Sequence, residues 1–275
     1  MRISVWLLFV AVMYLILTEV LHPWAGLPSL GNIGFTLVFV LFAMVHCAAC
    51  EGWKRMGLFF AVAASVSYLM EEVGVRTGWI YGAYHYSGML GPKLGHVPAL
   101  IPLAWFMMIY PSWVVARALM QGLDTHSAAG LAGQAVIAAM VMTAWDTVMD
   151  PGMAAAGNWV WERGGSYFGV PLHNYFGWLL TTFIVYLGAG LIWREESRDR
   201  RVMTGFAGLP IIVYAFYALS YMVPRPMPEL RVVALFAMAM PALLALMRVW
   251  LAKGSSKTGA LSAVRSATLD TMMNK

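Results

Sequence analysis

The sequence predicts an all-α fold, a polytopic transmembrane helix bundle of about eight spans. Three observations predict it. The 275 residues are 61% hydrophobic and 11% charged, less than half the roughly 25% charged residues of a soluble domain. Mean hydropathy is +0.70. Apolar windows of about 20 residues, long enough to cross a bilayer as helix, recur along the chain.

The windows fall at 3–21, 32–50, 55–72, 98–119, 127–149, 171–193, 202–223 and 230–251. The first, "MRISVWLLFVAVMYLILTEV", has one Arg, then an apolar run with no small-x-small cleavage signature before "HPW". It reads as a retained span rather than a signal peptide. The second carries Cys47 and Cys50 as "CAAC". These read as small buried hydrophobes, because a redox pair needs an exposed thiolate. Residues 1–252 therefore form one integral membrane domain, and the polar segment 253–275 is expected to be a disordered cytoplasmic tail.

Lys and Arg set the orientation. With eight spans, 13 of the 18 fall on the side of the termini, among them Arg2, Lys54, Arg55, Arg117, the run "REESRDRR" (194–201) and Arg248. The other side has Arg76, Lys93, Arg163, Arg225 and Arg231. The positive-inside rule then places both termini in the cytoplasm, with the chain in the cytoplasmic membrane. The net charge of +5 sits at juxtamembrane positions, so the partner it implies is the lipid bilayer and not nucleic acid.

Two connections on the opposite side are unusual. Residues 73–97, "VGVRTGWIYGAYHYSGMLGPKLGHV", and 150–170, "DPGMAAAGNWVWERGGSYFGV", are rich in Gly, Trp and Tyr and poor in charge. An interfacial aromatic belt accounts for the rings but not for the glycine, which permits close backbone approach. Partly re-entrant segments over a cavity are the better expectation. The two regions also resemble each other. "VPALIPLAW" (97–105) and "VPLHNYFGW" (170–178) share Val-Pro, then Trp seven residues after the proline. Each follows an aromatic-glycine segment and a span ending in paired acids. A parallel pseudo-repeat of spans 3–4 and 5–6 is expected, with a site at its interface.

The acids are the candidate catalytic groups. In "TAWDTVMDPG" (143–152), Asp146 and Asp150 stand at i and i+4, on one helical face, and Pro151 is expected to end the span there. An aspartate at mid-membrane costs roughly 2.5–3.5 kcal/mol on insertion scales, so a lipid-facing pair is disfavoured. One of the two could still be a structural partner of Arg76 or Arg163. In an apolar cavity two carboxylates do not both ionise cheaply, which leaves a proton donor beside a carboxylate base. Glu71 and Glu72 end the matching span, and being adjacent they point in different directions.

Metal and cofactor chemistry fit the pattern less well. No two of the six histidines are four apart, so an iron-carboxylate oxygenase lacks its imidazole ligands. "DTVMD" could be half of a Mg²⁺-diphosphate site of an intramembrane prenyltransferase, but such enzymes pair two aspartate-rich motifs and the opposing segment is "EEVGV". The lysines lie at span ends, in loops or in the tail, which leaves no Schiff base for retinal. The site is expected to need no cofactor and no metal. Carboxylates among aromatics suit carbocation chemistry, because ring faces stabilise a desolvated cation by about 2 kcal/mol or more. The loop candidates are Trp79, Tyr81, Tyr84, Trp159, Trp161 and Tyr167; the helix candidates are Trp105, Asn174 and Trp178.

"EEVGVRTGWIYGAYHYSGMLGPKLGHVPALIPLAWFMMIY" and "AWDTVMDPGMAAAGNWVWERGGSYFGVPLHNYFGW" together resemble the membrane carotenoid hydratases, the bisanhydrobacterioruberin hydratase and γ-carotene 1′-hydroxylase group. The resemblance covers roughly residues 55–190. It implies addition of water across the terminal 1,2 double bond of an acyclic carotenoid ψ end group, giving a tertiary alcohol without oxygen, nicotinamide or metal. It also implies a carotenoid substrate and the company of other membrane enzymes of that pathway. A carotenoid cyclase, which captures the same cation with an internal alkene, and a non-catalytic carotenoid-binding protein are the related alternatives.

Overall fold

The computed structural model describes residues 1–125, 127–193, 203, 205–223 and 226–252. The expected tail and the whole basic run at 194–201 lie outside them. Among the described residues eight helices form in chain order: α1 (Arg2–Ala25), α2 (Gly31–Glu51), α3 (Trp53–Thr77), α4 (Ile101–Leu119), α5 (Ala128–Ala155), α6 (Leu172–Trp193), α7 (Leu209–Ser220) and α8 (Leu230–Ala252). Seven are long and apolar enough to cross a membrane.

The exception is α7. Its 12 residues rise about 18 Å, short of a hydrocarbon core of about 30 Å. The window 202–223 therefore overstates this helix. Gly205, Gly208 and Pro210 at its start, and the proline-rich "VPRPMP" after it, confine helical backbone to the middle of the apolar run.

Contacts between helix ends order the bundle. At one end the Arg117 guanidinium donates to Glu51 Oε1 at 2.6 Å, and Trp193 Nε1 donates to Glu51 Oε2 at 2.8 Å. This ties the ends of α2, α4 and α6 together. Arg248 donates to the Gln121 carbonyl, bringing α8 to the same end, and Arg2 lies over the Phe206 ring at 5.5 Å. The axis of the bundle is α4, buried along most of its length and packed on α2, α3, α5 and α7.

The other end holds the two aromatic-glycine connections, which pair with each other. Strand β1 (Tyr84–Tyr86) lies antiparallel to β4 (Trp159–Trp161), with Tyr84 opposite Trp161 and Tyr86 opposite Trp159. Between them, β2 (Lys93–Leu94) and β3 (Val97–Pro98) form a small hairpin leading into α4. Because side chains alternate along a strand, Tyr84, Tyr86, Trp159 and Trp161 all face inward, while His85 and Val160 are exposed. Cross-strand ring contacts at 4.9 Å (Tyr84–Trp161) and 6.0 Å (Tyr86–Trp159) hold the two strands together.

Glycine sets the closest approach. A Cβ at Gly177 in α6 would sit 2.2 Å from the Ile80 carbonyl oxygen and 2.6 Å from the Tyr81 ring. Only a residue without a side chain lets α6 touch the turn after α3 at this distance. Gly78 ends α3 with φ of 70°, the left-handed cap that folds the chain back into that turn.

Candidate active site

Under the ribbon lies a cavity of about 130 Å³. Its walls come from α2, α4, α5, α6 and α7, and its roof from the inward faces of β1 and β4. Asp146, Asp150, Asn174, Trp105, Trp178, Tyr84, Trp159 and Trp161 all line it.

The aspartates are held by α5, which departs from expectation in one respect. Pro151 does not end the helix, which runs on to Ala155. Proline has no N–H for the carbonyl four residues back, here that of Thr147. The Tyr167 hydroxyl donates to that carbonyl at 3.0 Å in its place. Helical backbone thus continues through the acid pair, and Asp146 and Asp150 project one turn apart into the same cavity.

Both aspartates are almost wholly removed from solvent, at 0% and 1% exposure. One amide serves both: Asn174 Nδ2 donates to Asp146 Oδ2 at 3.0 Å and to Asp150 Oδ2 at 2.7 Å. Asp150 Oδ1 also accepts from Trp159 Nε1 at 2.6 Å. Asp146 Oδ1 has no protein partner. Two indole nitrogens on the same cavity, Trp145 Nε1 and Trp161 Nε1, likewise have none. Unpartnered buried polar groups are uncommon and costly, and three of them share one small chamber.

Glu71 is buried at 3% exposure but stands behind the cavity wall. Its Oε2 accepts from the hydroxyls of Tyr84 and, at 2.8 Å, Tyr86; its Oε1 accepts from Trp105 Nε1 at 3.1 Å. Burial first, and then the Glu71 charge, pushes both tyrosine hydroxyls well above their usual range, so both stay protonated and donate. Trp105 stacks on Trp178 with centroids 3.9 Å apart and planes 13° apart, a parallel pair across α4 and α6.

The remaining sequence candidates lie outside the chamber. Glu72 faces away from it and accepts from the His96 backbone N–H (2.9 Å) and pairs with His96 Nδ1 (2.8 Å), pinning the β2–β3 hairpin to α3. Trp79 is 79% exposed and does not line the cavity. Tyr81 is buried beside Tyr84 and Trp105, but its hydroxyl bonds Thr181 at 2.8 Å. Tyr167 serves the α5 backbone through its bond to the Thr147 carbonyl. Tyr86, Trp145, Asn32 and Tyr217 line the cavity without having been singled out from sequence. Tyr86 was within reach, since it lies two residues from Tyr84 and shares its strand face. Nothing in sequence marks Tyr217, which a separate helix brings in. Among the described residues, no three His, Cys, Asp or Glu side chains converge as a metal site.

The family model of the carotenoid biosynthesis proteins matches residues 31–251, a stretch that includes every element of the chamber. The chain belongs to the carotenoid biosynthesis protein family. A relative from Haloarcula japonica, bisanhydrobacterioruberin hydratase, is 35% identical over 135 residues, covering 49% of this chain and 44% of that protein. The match thus spans less than half of the relative's own length. No solved structure matches. Membership gives this family member a place in carotenoid biosynthesis, and its helices make it a multi-pass membrane protein.

Proposed function

We propose that this chain is a carotenoid hydratase that adds water to the terminal double bond of an acyclic carotenoid ψ end group. The observation that carries the reading is the unpartnered Asp146 Oδ1 beside a fully bonded Asp150. Of the two, Asp150 has more donors to stabilise an anion, and Asp146 keeps an oxygen free to hold a proton toward the cavity. The similarity to the Haloarcula japonica hydratase supports the same chemistry.

In this mechanism Asp146 protonates the alkene carbon bearing one hydrogen. The cation forms at the dimethyl carbon, the more substituted position, between aromatic walls that stabilise it. A water polarised by Asp150 attacks that carbon, and Asp150 takes the water's surplus proton. One water is added, and the proton on Asp150 returns to Asp146 before the next turnover. No redox partner is needed. Asn174 fixes the spacing of the two carboxylates throughout.

The finer architecture follows from the same reading. Spans 3–4 and 5–6 form a parallel pseudo-repeat, supported by the β1–β4 pairing and by the stacking of Trp105 on Trp178, its counterpart after Val-Pro. The short α7 and its flanking turns complete an eighth crossing, and both termini are cytoplasmic, as the clustering of Arg2, Arg117 and Arg248 at one end supports.

Expression in a lycopene-producing host tests the activity. Pigments that gain the mass of one water, labelled when cells grow in heavy-oxygen water, are the expected result. Gain of one oxygen atom, an unchanged mass, or a prenyl-sized gain each overturns the reading.

A further inference from the structure

Glu71 has no part in the proton transfers above, yet it is the most heavily hydrogen-bonded carboxylate near the cavity. It does not line that cavity, but all three of its donors do: Tyr84, Tyr86 and Trp105. We propose that Glu71 is the buried counter-ion of a cation-binding cage. Its charge reaches the cavity through these three rings, and the cage accepts a tertiary alkyl cation or a trialkylammonium group of isoprenoid shape.

Geometry supports this assignment. Each ring turns its polar hydrogen toward Glu71, behind the wall, so the cavity meets ring carbon. A phenol or indole that donates to a carboxylate has more negative charge on its ring, and the attraction of a cation to a ring grows with that charge. Low polarity around the chamber strengthens the effect. Trp178 backs Trp105 by stacking, which holds that ring in place. No Lys or Arg lines the cavity among the described residues. A neighbouring cation, Lys93, donates to the Tyr86 backbone carbonyl at 2.6 Å, on the strand rather than in the chamber. A plain structural clamp for β1 would need the hydrogen bonds but not the charge.

This inference rests on the cation intermediate of the hydratase reading, and its test does not depend on turnover. Purified protein in lipid nanodiscs is titrated, by quenching of tryptophan fluorescence, with two isoprenoid probes of one shape. One ends in a dimethylamino group, protonated at neutral pH; the other ends in an isopropyl group. The quantity read is the ratio of the two affinities. Wild type is expected to prefer the ammonium, and Glu71→Gln to lose roughly tenfold of that preference while its hydrocarbon affinity holds. Tyr86→Phe keeps the ring and cuts one link, and is expected to lose about threefold; it serves if Glu71→Gln does not fold. Equal weakening of both probes in these variants, or an unchanged ratio, overturns the cage. A charge preference lost in Glu71→Gln, with a wild type that adds no water to carotenoid, keeps the cage and removes the hydratase reading. Hydration with an unchanged ratio does the reverse.

Discussion

Glu71 and Asp146 occupy corresponding places in the chain and are treated differently by the fold. Each precedes two inward-facing aromatic residues by 13 and 15 positions: Tyr84 and Tyr86 for Glu71, Trp159 and Trp161 for Asp146. Both are buried towards the C-terminal end of a long helix. Glu71 receives all the hydrogens its own strand can offer, plus that of Trp105. Asp146 receives none from its strand. Trp159 gives its N–H to Asp150, and Trp161 gives its own to no protein group. A tyrosine hydroxyl extends along the ring axis and reaches back under the ribbon, whereas an indole N–H leaves from the ring's side. The contrast teaches how one scaffold separates two tasks. On the proposed mechanism, full hydrogen bonding fixes a charge, and an incomplete set leaves an acid free to react.

The largest expected effect tests the reactive half of that contrast. Asp146→Asn should lower hydration by about a hundredfold to ten-thousandfold, the range general acid catalysis supplies. Its thermal stability should hold, because one buried, incompletely bonded group replaces another. Pigment conversion in membranes, read beside a melting curve, checks both. Wild-type turnover in this variant would show that the free oxygen is not the donor.

Next in size is the packing of α6 against the turn after α3. Gly177→Ala would drive a methyl group into the Ile80 carbonyl and the Tyr81 ring. Overpacking of this kind costs about 1–3 kcal/mol or more, so a clear drop in melting temperature is expected. Turnover at low temperature should fall too, since Tyr81 packs on Tyr84 and Trp105. A stable, fully active alanine variant would mean that α6 and this turn tolerate a wider spacing than the contact implies.

Asn174→Leu has a smaller expected effect on stability and a more specific one on turnover. It removes the amide shared by the acids and leaves two carboxylate oxygens without that donor. The loss should be about 1–3 kcal/mol of stability, with turnover reduced more than in Gly177→Ala at equal melting temperature. If the acids act independently of each other, turnover will follow stability alone.

How much of this was legible in the sequence follows from where each signal lives. Seven of the eight spans follow from hydropathy, because burial in lipid demands long apolar helices whatever the tertiary packing. The eighth, α7, was overestimated because glycine and proline cut helical backbone inside an apolar run. The acid pair and Trp105, Trp159, Trp161 and Trp178 could be read from spacing and motif, and they do meet at one cavity. Pro151 misled, because the group that replaces its missing N–H is Tyr167, 16 positions further on and invisible to local rules. Pairing of β1 with β4 was equally out of reach, since it joins segments 75 residues apart. Helical geometry said only that Glu71 and Glu72 diverge, and the choice between them needed the hairpin that claims Glu72.

The smallest expected effect uses that adjacency. Glu72→Gln changes one atom next to Glu71 in sequence, on a face of α3 turned about 100° from it. Its carboxylate holds the His96 backbone N–H and ring, and lies 3.7 Å from Arg76. The glutamine carbonyl can still accept one of these donors, and ion pairs with partly exposed side chains contribute about 0–1 kcal/mol. Turnover should stay within about twofold of wild type, and stability should fall by less than about 1 kcal/mol. Measured beside Glu71→Gln in the same membranes, the two variants isolate which face of α3 matters. A strong loss from Glu72→Gln with melting unchanged would mean that the β2–β3 hairpin, and not the aromatic roof alone, shapes the chamber.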